Sequence, residues 1–96
     1  MITIYKYKVK QQEYQTIELP VGARVLTAQA LDVNVWIWAQ VDTEVKEREP
    51  RKFVVLKTGQ EINYNPELLW HIESVQFGGG ELVLHVFEYT GPDLAT

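Results

Sequence analysis

The side chains best suited to chemistry are two histidines, His71 and His85, in apolar stretches near the C-terminus. A metal site would need further ligands, and the sequence has no cysteine. In one register of the final hairpin, Glu73 faces His85, as a carboxylate orients a general base. No hydroxyl is placed as a convincing nucleophile, so we interpret His85 as a structural histidine and expect no catalysis, metal or cofactor.

Two other patterns resemble functional motifs without meeting their requirements. The segment 42–50 carries interleaved charges of both signs, which is typical of a solvated loop. Gly78-Gly79-Gly80 precedes a strand-like stretch, whereas a phosphate-binding glycine loop leads into a helix. The glycines therefore predict a hairpin loop.

A third pattern, in the first strand, resembles a nucleic-acid surface. Lys6, Lys8 and Lys10 alternate with Tyr5 and Tyr7, so strand alternation puts the basic and aromatic groups on opposite faces. A single-stranded nucleic acid needs both on one face. The net charge of −4 would also repel phosphates. We therefore expect no nucleic-acid partner.

The strongest candidates for a functional surface are Trp36 and Trp38. A two-residue loop at Asp32-Val33 would pair Leu31 with Asn34 and so set the register of a hairpin. Its core face would then hold the facing pairs Ala30 and Val35, Ala28 and Ile37, and Leu26 and Ala39. Its outer face would hold Val25, Thr27, Gln29, Trp36, Trp38 and Gln40.

From that outer face we predict a ligand- or partner-binding site formed by Trp36, Trp38, Gln29, Thr27 and Gln40. Tryptophan among polar neighbours on a sheet is typical of an interface anchor. A planar small molecule could also stack there, with the polar side chains bonding its edge. Coverage of the indoles by another segment or a second copy, for stability alone, is an equal alternative.

The last hairpin has its own predicted register. Three consecutive glycines favour a three-residue loop with a bulge. The facing pairs would be Phe77 and Glu81, Val75 and Val83, Glu73 and His85, Ile72 and Val86, and His71 and Phe87.

The elements that position these residues are strands, because apolar residues recur mostly at every second position. We predict seven, near 2–9, 14–19, 24–31, 34–42, 51–57, 69–77 and 81–90, with one helical turn at most near 65–69. The fold class is then all-β, a small antiparallel sandwich or flattened barrel forming a single domain over 1–96. The tail from Gly91 onward is expected to be frayed.

Composition sets the class of protein. Of the 96 residues, 46% are hydrophobic and 23% are charged, which is typical of a globular protein. The alternating N-terminus is unlike a signal peptide, and no apolar run has the length of a membrane span. We expect a cytoplasmic protein without a membrane partner, which self-association into a homo-oligomer would help to stabilise.

Four stretches resemble a family of short uncharacterised phage and prophage proteins. They are an ELP-x-GA turn at 18–23, a tryptophan-rich hairpin at 26–41, the Thr58-Gly59 turn and the ending HVFE at 85–88. The resemblance spans nearly the whole chain and implies an accessory protein in the bacterial host cytoplasm. It carries over no catalytic residues and implies no mechanism. Three functions fit: binding and inhibiting a host enzyme or defence protein, binding a nucleotide-like signal, or serving in virion structure or assembly.

Overall fold

Seven strands form two antiparallel sheets in the computed structural model, which describes residues 1–94. One sheet has the order β1-β4-β3 and the other β2-β5-β7-β6. The strands are β1 (Ile2–Val9), β2 (Tyr14–Pro20), β3 (Arg24–Leu31), β4 (Asn34–Asp42), β5 (Arg48–Lys57), β6 (Leu69–Phe77) and β7 (Leu82–Tyr89). Short 3-10 turns occupy Pro66–Leu68 and Gly78–Gly80.

The all-β prediction is confirmed, and the structure distinguishes between the two predicted architectures, a sandwich and a flattened barrel. Edge strands β3 and β6 lie side by side, but no hydrogen-bond ladder joins them. The fold is therefore sandwich-like rather than a closed barrel. In the part of the chain that the structure describes, no helix is long and apolar enough to cross a membrane.

The core lies between the sheets and is set by strand alternation. On β4, every second side chain is buried: Val35, Ile37, Ala39 and Val41. The four-stranded sheet contributes Phe53 and Val86, both fully buried, to the same cluster. Burying each side chain of this size contributes about 1.5–3 kcal/mol. Exchanging the inward and outward faces of β4 would therefore cost much of the free energy of folding.

The segment 42–50 is not entirely a loop, as its charge pattern had suggested. Strand β5 begins at Arg48, and it pairs with β2 through Leu19 opposite Glu49. The Glu49 carboxylate also accepts a hydrogen bond of 2.9 Å from the backbone N–H of Gly22. Because this charged stretch completes the ladder of edge strand β2, its last residues are strand.

A β-bulge in β3 changes the end of the predicted hairpin that is far from the loop. Ala28 and Ile37 face each other as expected, but Ala39 faces Val25 because Leu26 is the extra residue. Val25 therefore packs against the core, and Leu26 is 40% exposed. Both predicted placements were wrong, since a bulge lets residues three apart share one face.

A second bulge, at Ile72 in β6, gives the final hairpin a register that differs from the predicted one. His71 faces Phe87 as predicted, yet beyond the bulge the register is shifted by one residue. The loop comprises residues 78–81, so Phe77 faces Leu82 and Val75 faces Leu84. The predicted pairing of Glu73 with His85 is wrong, because Glu73 lies opposite Val86.

The Arg51 side chain ties the two sheets together. The Arg51 guanidinium on β5 donates from Nε and from a terminal nitrogen to the Glu88 carboxylate on β7. Its other terminal nitrogen donates to the carbonyl of Ala23, 2.8 Å away, just before β3. Both charged side chains are less than one fifth exposed, and a planar fork is the geometry in which arginine binds a carboxylate best.

A second apolar cluster covers the far side of the four-stranded sheet. Buried Val54, Leu56 and Tyr89 pack there with the half-buried Tyr14 and Tyr64. The tail contributes, because the Tyr14 hydroxyl donates to the Asp93 carboxylate and accepts from the N–H of Leu94. The frayed-tail prediction is thus wrong for residues 91–94, while 95 and 96 lie outside the described residues.

We predict that breaking the Arg51 fork destabilises the protein. Arg51→Met should lower the free energy of unfolding in urea by about 2–3 kcal/mol, because Glu88 loses its partner and Ala23 a donor. Arg51→Lys should recover only part of this, since ammonium cannot form the fork. The control Arg48→Met removes an exposed charge from the same strand. Equal losses for Arg48→Met and Arg51→Met would contradict the assignment.

We also predict an alkaline transition from Tyr64. Burial raises the pKa of Tyr64 to about 12, and the hydrogen bond that its hydroxyl donates to Glu13 acts in the same direction. An unfolded tyrosine ionises near pH 10, so the resulting stability is complete below about pH 10 and is lost as the pH rises through about 12. Absorbance at 295 nm should show this late phenolate; Tyr64→Phe should remove it and Glu13→Gln should lower its pKa. A Tyr64 that ionises near pH 10 would refute the prediction.

Candidate functional site

The outer face of the three-stranded sheet brings together all five residues predicted as a binding site. The core-facing residues of β4 alternate with Trp36 and Trp38, which point away from the core and are half-buried. Thr27 lies opposite Trp38 and Gln29 opposite Trp36 on β3. Gln40 lies one step further along β4, between Ile4 and Arg24. We call this surface the tryptophan face.

Strand β1 adds lysines to the tryptophan face. It pairs with β4 so that Lys6 lies opposite Trp38 and Lys8 opposite Trp36. The Lys6 ammonium sits 4.5 Å from the centre of the Trp36 ring, in cation–π geometry. Alternation within β1 does separate the lysines from the tyrosines of that strand, but the neighbouring strand supplies aromatics on the lysine side. The face is therefore both basic and aromatic.

The end of the tryptophan face near the N-terminus is aliphatic. Ile2 and Ile4 are on the same side of β1 as Lys6, and their exposed fractions are 61% and 53%. The Met1 carbonyl accepts hydrogen bonds from Thr43, and its ammonium lies 3.5 Å from the Asp42 carboxylate. These contacts hold the start of β1 in place, so the isoleucines are presented on an ordered strand.

The other end of β1 is held by a buried glutamine. The Gln15 amide accepts from the N–H of Lys10 and donates to the carbonyls of Lys10 and Gln12, all at 2.8–3.0 Å. Each polar atom of its buried amide is thus satisfied. Because both ends of β1 are fixed, the lysines and isoleucines between them keep their register against the tryptophans.

The positive charge of the tryptophan face is uncompensated. Within residues 1–94, Lys6, Lys8 and Arg24 form no ion pair with any carboxylate. The chain as a whole carries a net charge of −4, so these three cations stand against an acidic background. Such a surface favours a partner with negative charge.

The histidines form a polar chain on the opposite side of the molecule. The Ser74 Oγ is 2.7 Å from His85 Nδ1 and 3.0 Å from His71 Nε2, and His85 Nε2 is 2.7 Å from the Thr58 hydroxyl. A serine does lie beside His85, which sequence reasoning missed because the register was shifted. However, acyl transfer also needs N–H groups that are free to stabilise an oxyanion. The Ser74 N–H is already used, because it donates to the Glu73 carboxylate. The expectation of a non-catalytic protein stays a prediction.

Metal binding has no candidate in the described chain, where no three histidine or acidic side chains are grouped around a common point. Concave surfaces also occur, and one of about 370 Å³ lies beside Ile2, Ile4 and Gln40 on the tryptophan face. A cleft of about 770 Å³ opens at one end of the sandwich, lined by Gln11, Gln12, Val55, Leu82 and others. A smaller one of about 360 Å³ lies where β3 meets β6.

Sequence reasoning also missed Trp70, the third tryptophan. It is 64% exposed at the mouth of the smaller cleft, near Leu26 and above the Arg51–Glu88 pair. The bulge at Ile72 controls its placement, and alternation alone gives no sign of that bulge. Trp70 belongs to β6 of the other sheet, which makes it a useful internal control.

One family model, described as "Domain of unknown function (DUF7352)", matches residues 1–95. The chain belongs to this family. No curated protein and no solved structure matches it. The matched residues include both sheets, so the tryptophan face, the Arg51 fork and the second cluster all lie within the matched region.

The lysines should make the tryptophan face selective for anionic quenchers. In a Trp70→Phe variant the remaining emission comes from Trp36 and Trp38, and iodide should quench it more strongly than caesium at equal ionic strength. Replacing Lys6 and Lys8 with glutamine should reduce the difference between quenching by iodide and quenching by caesium. The same replacement at Lys46 and Lys57 should leave that difference unchanged. Stronger quenching by caesium would show that the local potential is not positive.

Proposed function

We propose that this protein is a non-catalytic binding module that contacts a protein partner through the tryptophan face. The resemblance to phage and prophage proteins supports an accessory role in which that partner is a bacterial host protein. One observation carries the proposal: two tryptophans, two exposed isoleucines and unpaired cations share one ordered, open sheet surface.

The composition of the face favours a protein over a small molecule. Small-molecule sites are concave and bury most of their ligand, whereas the clefts described within residues 1–94 are lined by residues other than Trp36 and Trp38. Protein interfaces, in contrast, use tryptophan and arginine as central anchors with a polar rim. Gln29, Gln40 and Thr27 supply such a rim.

The same composition favours a protein over a nucleic acid. Stacking of bases requires an open ring face, but the Lys6 ammonium covers the Trp36 ring. Ile2 and Ile4 would gain nothing from a phosphate backbone, while an apolar side chain of a protein could bury them.

Removing the indoles should weaken partner binding without unfolding the protein. We expect Trp36→Ala combined with Trp38→Ala to weaken binding of a captured host protein at least thirtyfold, the loss of about 2 kcal/mol typical of one interface anchor. Trp70→Ala is the matched control, since it removes the most exposed indole from another surface. Quantitative pull-down from bacterial lysate followed by titration measures both.

Far-UV circular dichroism and the urea midpoint of each variant establish that it is folded. Capture of the same proteins, with the same affinity, by the wild type and by the double variant would refute the tryptophan face as the binding surface. Loss of binding only with Trp70→Ala would move the site to the cleft between β3 and β6.

A further inference from the structure

We propose that the free edge of β1 pairs with an extended segment of the partner that carries acidic side chains at every second position. This inference rests on the proposed function, because it assigns a chemistry to the partner of the tryptophan face. It adds a second set of contacts, made by the backbone of β1 beside that face.

The edge of β1 is open for pairing. β1 is the outermost strand of its sheet and is hydrogen-bonded to β4 on one side only. The N–H of Thr43 donates to the carbonyl of Met1, at 2.8 Å, and in an antiparallel pair such bonds recur at every second residue. The backbone groups of Ile4, Lys6 and Lys8 therefore point away from β4, toward an added strand.

The side chains beside this edge select the partner's charge. Lys6 and Lys8 belong to the residues whose backbone groups point outward, and their side chains are on the tryptophan face. In a strand paired with β1, the residues directly opposite them would also project onto the tryptophan face. Carboxylates at those alternate positions would meet the two unpaired ammonium groups.

A second copy of this chain that offers its own β1 does not meet that requirement. The outward positions of its own β1 are Ile2, Ile4, Lys6 and Lys8, among which there is no carboxylate. Lysine on an edge strand is a common device against pairing between identical copies. The same lysines that disfavour self-pairing favour an acidic strand, so the edge discriminates between the two.

The test uses defined peptides in place of the unidentified partner. An acetylated ten-residue peptide alternating glutamate and valine, labelled for fluorescence anisotropy, should bind the wild-type protein. A peptide alternating lysine and valine should bind at least tenfold more weakly. N-methylation of the glutamate-peptide residues that face β1 should also weaken binding at least tenfold, because it keeps the charge and removes the backbone donors.

Charge reversal gives the complementary variants. Lys6→Glu combined with Lys8→Glu should reverse the preference, so that the lysine peptide binds at least tenfold more tightly than the glutamate peptide. Lys46→Glu combined with Lys57→Glu is the matched control, since it changes net charge equally at other exposed positions. The control should keep the wild-type preference.

Three results would overturn the proposal. The N-methylated peptide could bind as tightly as the unmethylated glutamate peptide, or the Lys6→Glu and Lys8→Glu variant could still prefer the glutamate peptide over the lysine peptide. The third is tighter binding of a twelve-nucleotide oligothymidylate than of the glutamate peptide. The capture experiment separates this inference from the proposed function. The Trp36 and Trp38 variant could fail to capture a host protein that the Lys6 and Lys8 reversal still captures. That result would support the tryptophan face as the binding surface and refute pairing of β1 with an acidic strand.

Discussion

The alternation of β4 is the constraint on which the rest of the structure depends. Val35, Ile37, Ala39 and Val41 are all buried between the sheets, so the residues between them must point outward. A shift of one residue would put indoles into a space filled by small aliphatic side chains, at the cost of overpacking and lost burial. The two tryptophans are outside because the aliphatic residues are inside.

The neighbours of β4 turn that alternation into a surface. On one side β3 supplies neutral polar groups, and on the other β1 supplies lysines and isoleucines. The Arg51 fork holds the start of β3 to the opposite sheet, while Gln15 and the Met1 contacts hold the two ends of β1. A recognition surface needs this kind of support, because its anchors are effective only if they are already in position.

Local sequence patterns predicted the elements and part of the register. The Asp32-Val33 loop and the first facing pairs beyond it were recoverable, since the apolar sets coincide in one register only. The bulges at Leu26 and Ile72 were not, because an extra residue leaves the local alternation nearly unchanged and takes effect further along the strand. Both bulged residues are apolar, so hydrophobicity gave no warning.

The character of the candidate site was hidden for a different reason. Lys6 meets Trp36 and Trp38 through pairing of strands about thirty residues apart in sequence, and such non-local contacts are not encoded in any short window. Examined alone, β1 has its lysines and tyrosines on opposite faces. Only the addition of β4 as its neighbour reveals a basic, aromatic and aliphatic face.

The most direct test follows the three indole N–H signals by nuclear magnetic resonance as the captured host protein is added to the labelled chain. Each signal is assigned with single Trp→Phe variants. The signals of Trp36 and Trp38 should shift or broaden together, while that of Trp70 stays in place apart from the uniform broadening of a larger complex. A selective change at Trp70, with Trp36 and Trp38 unaffected, would contradict the account.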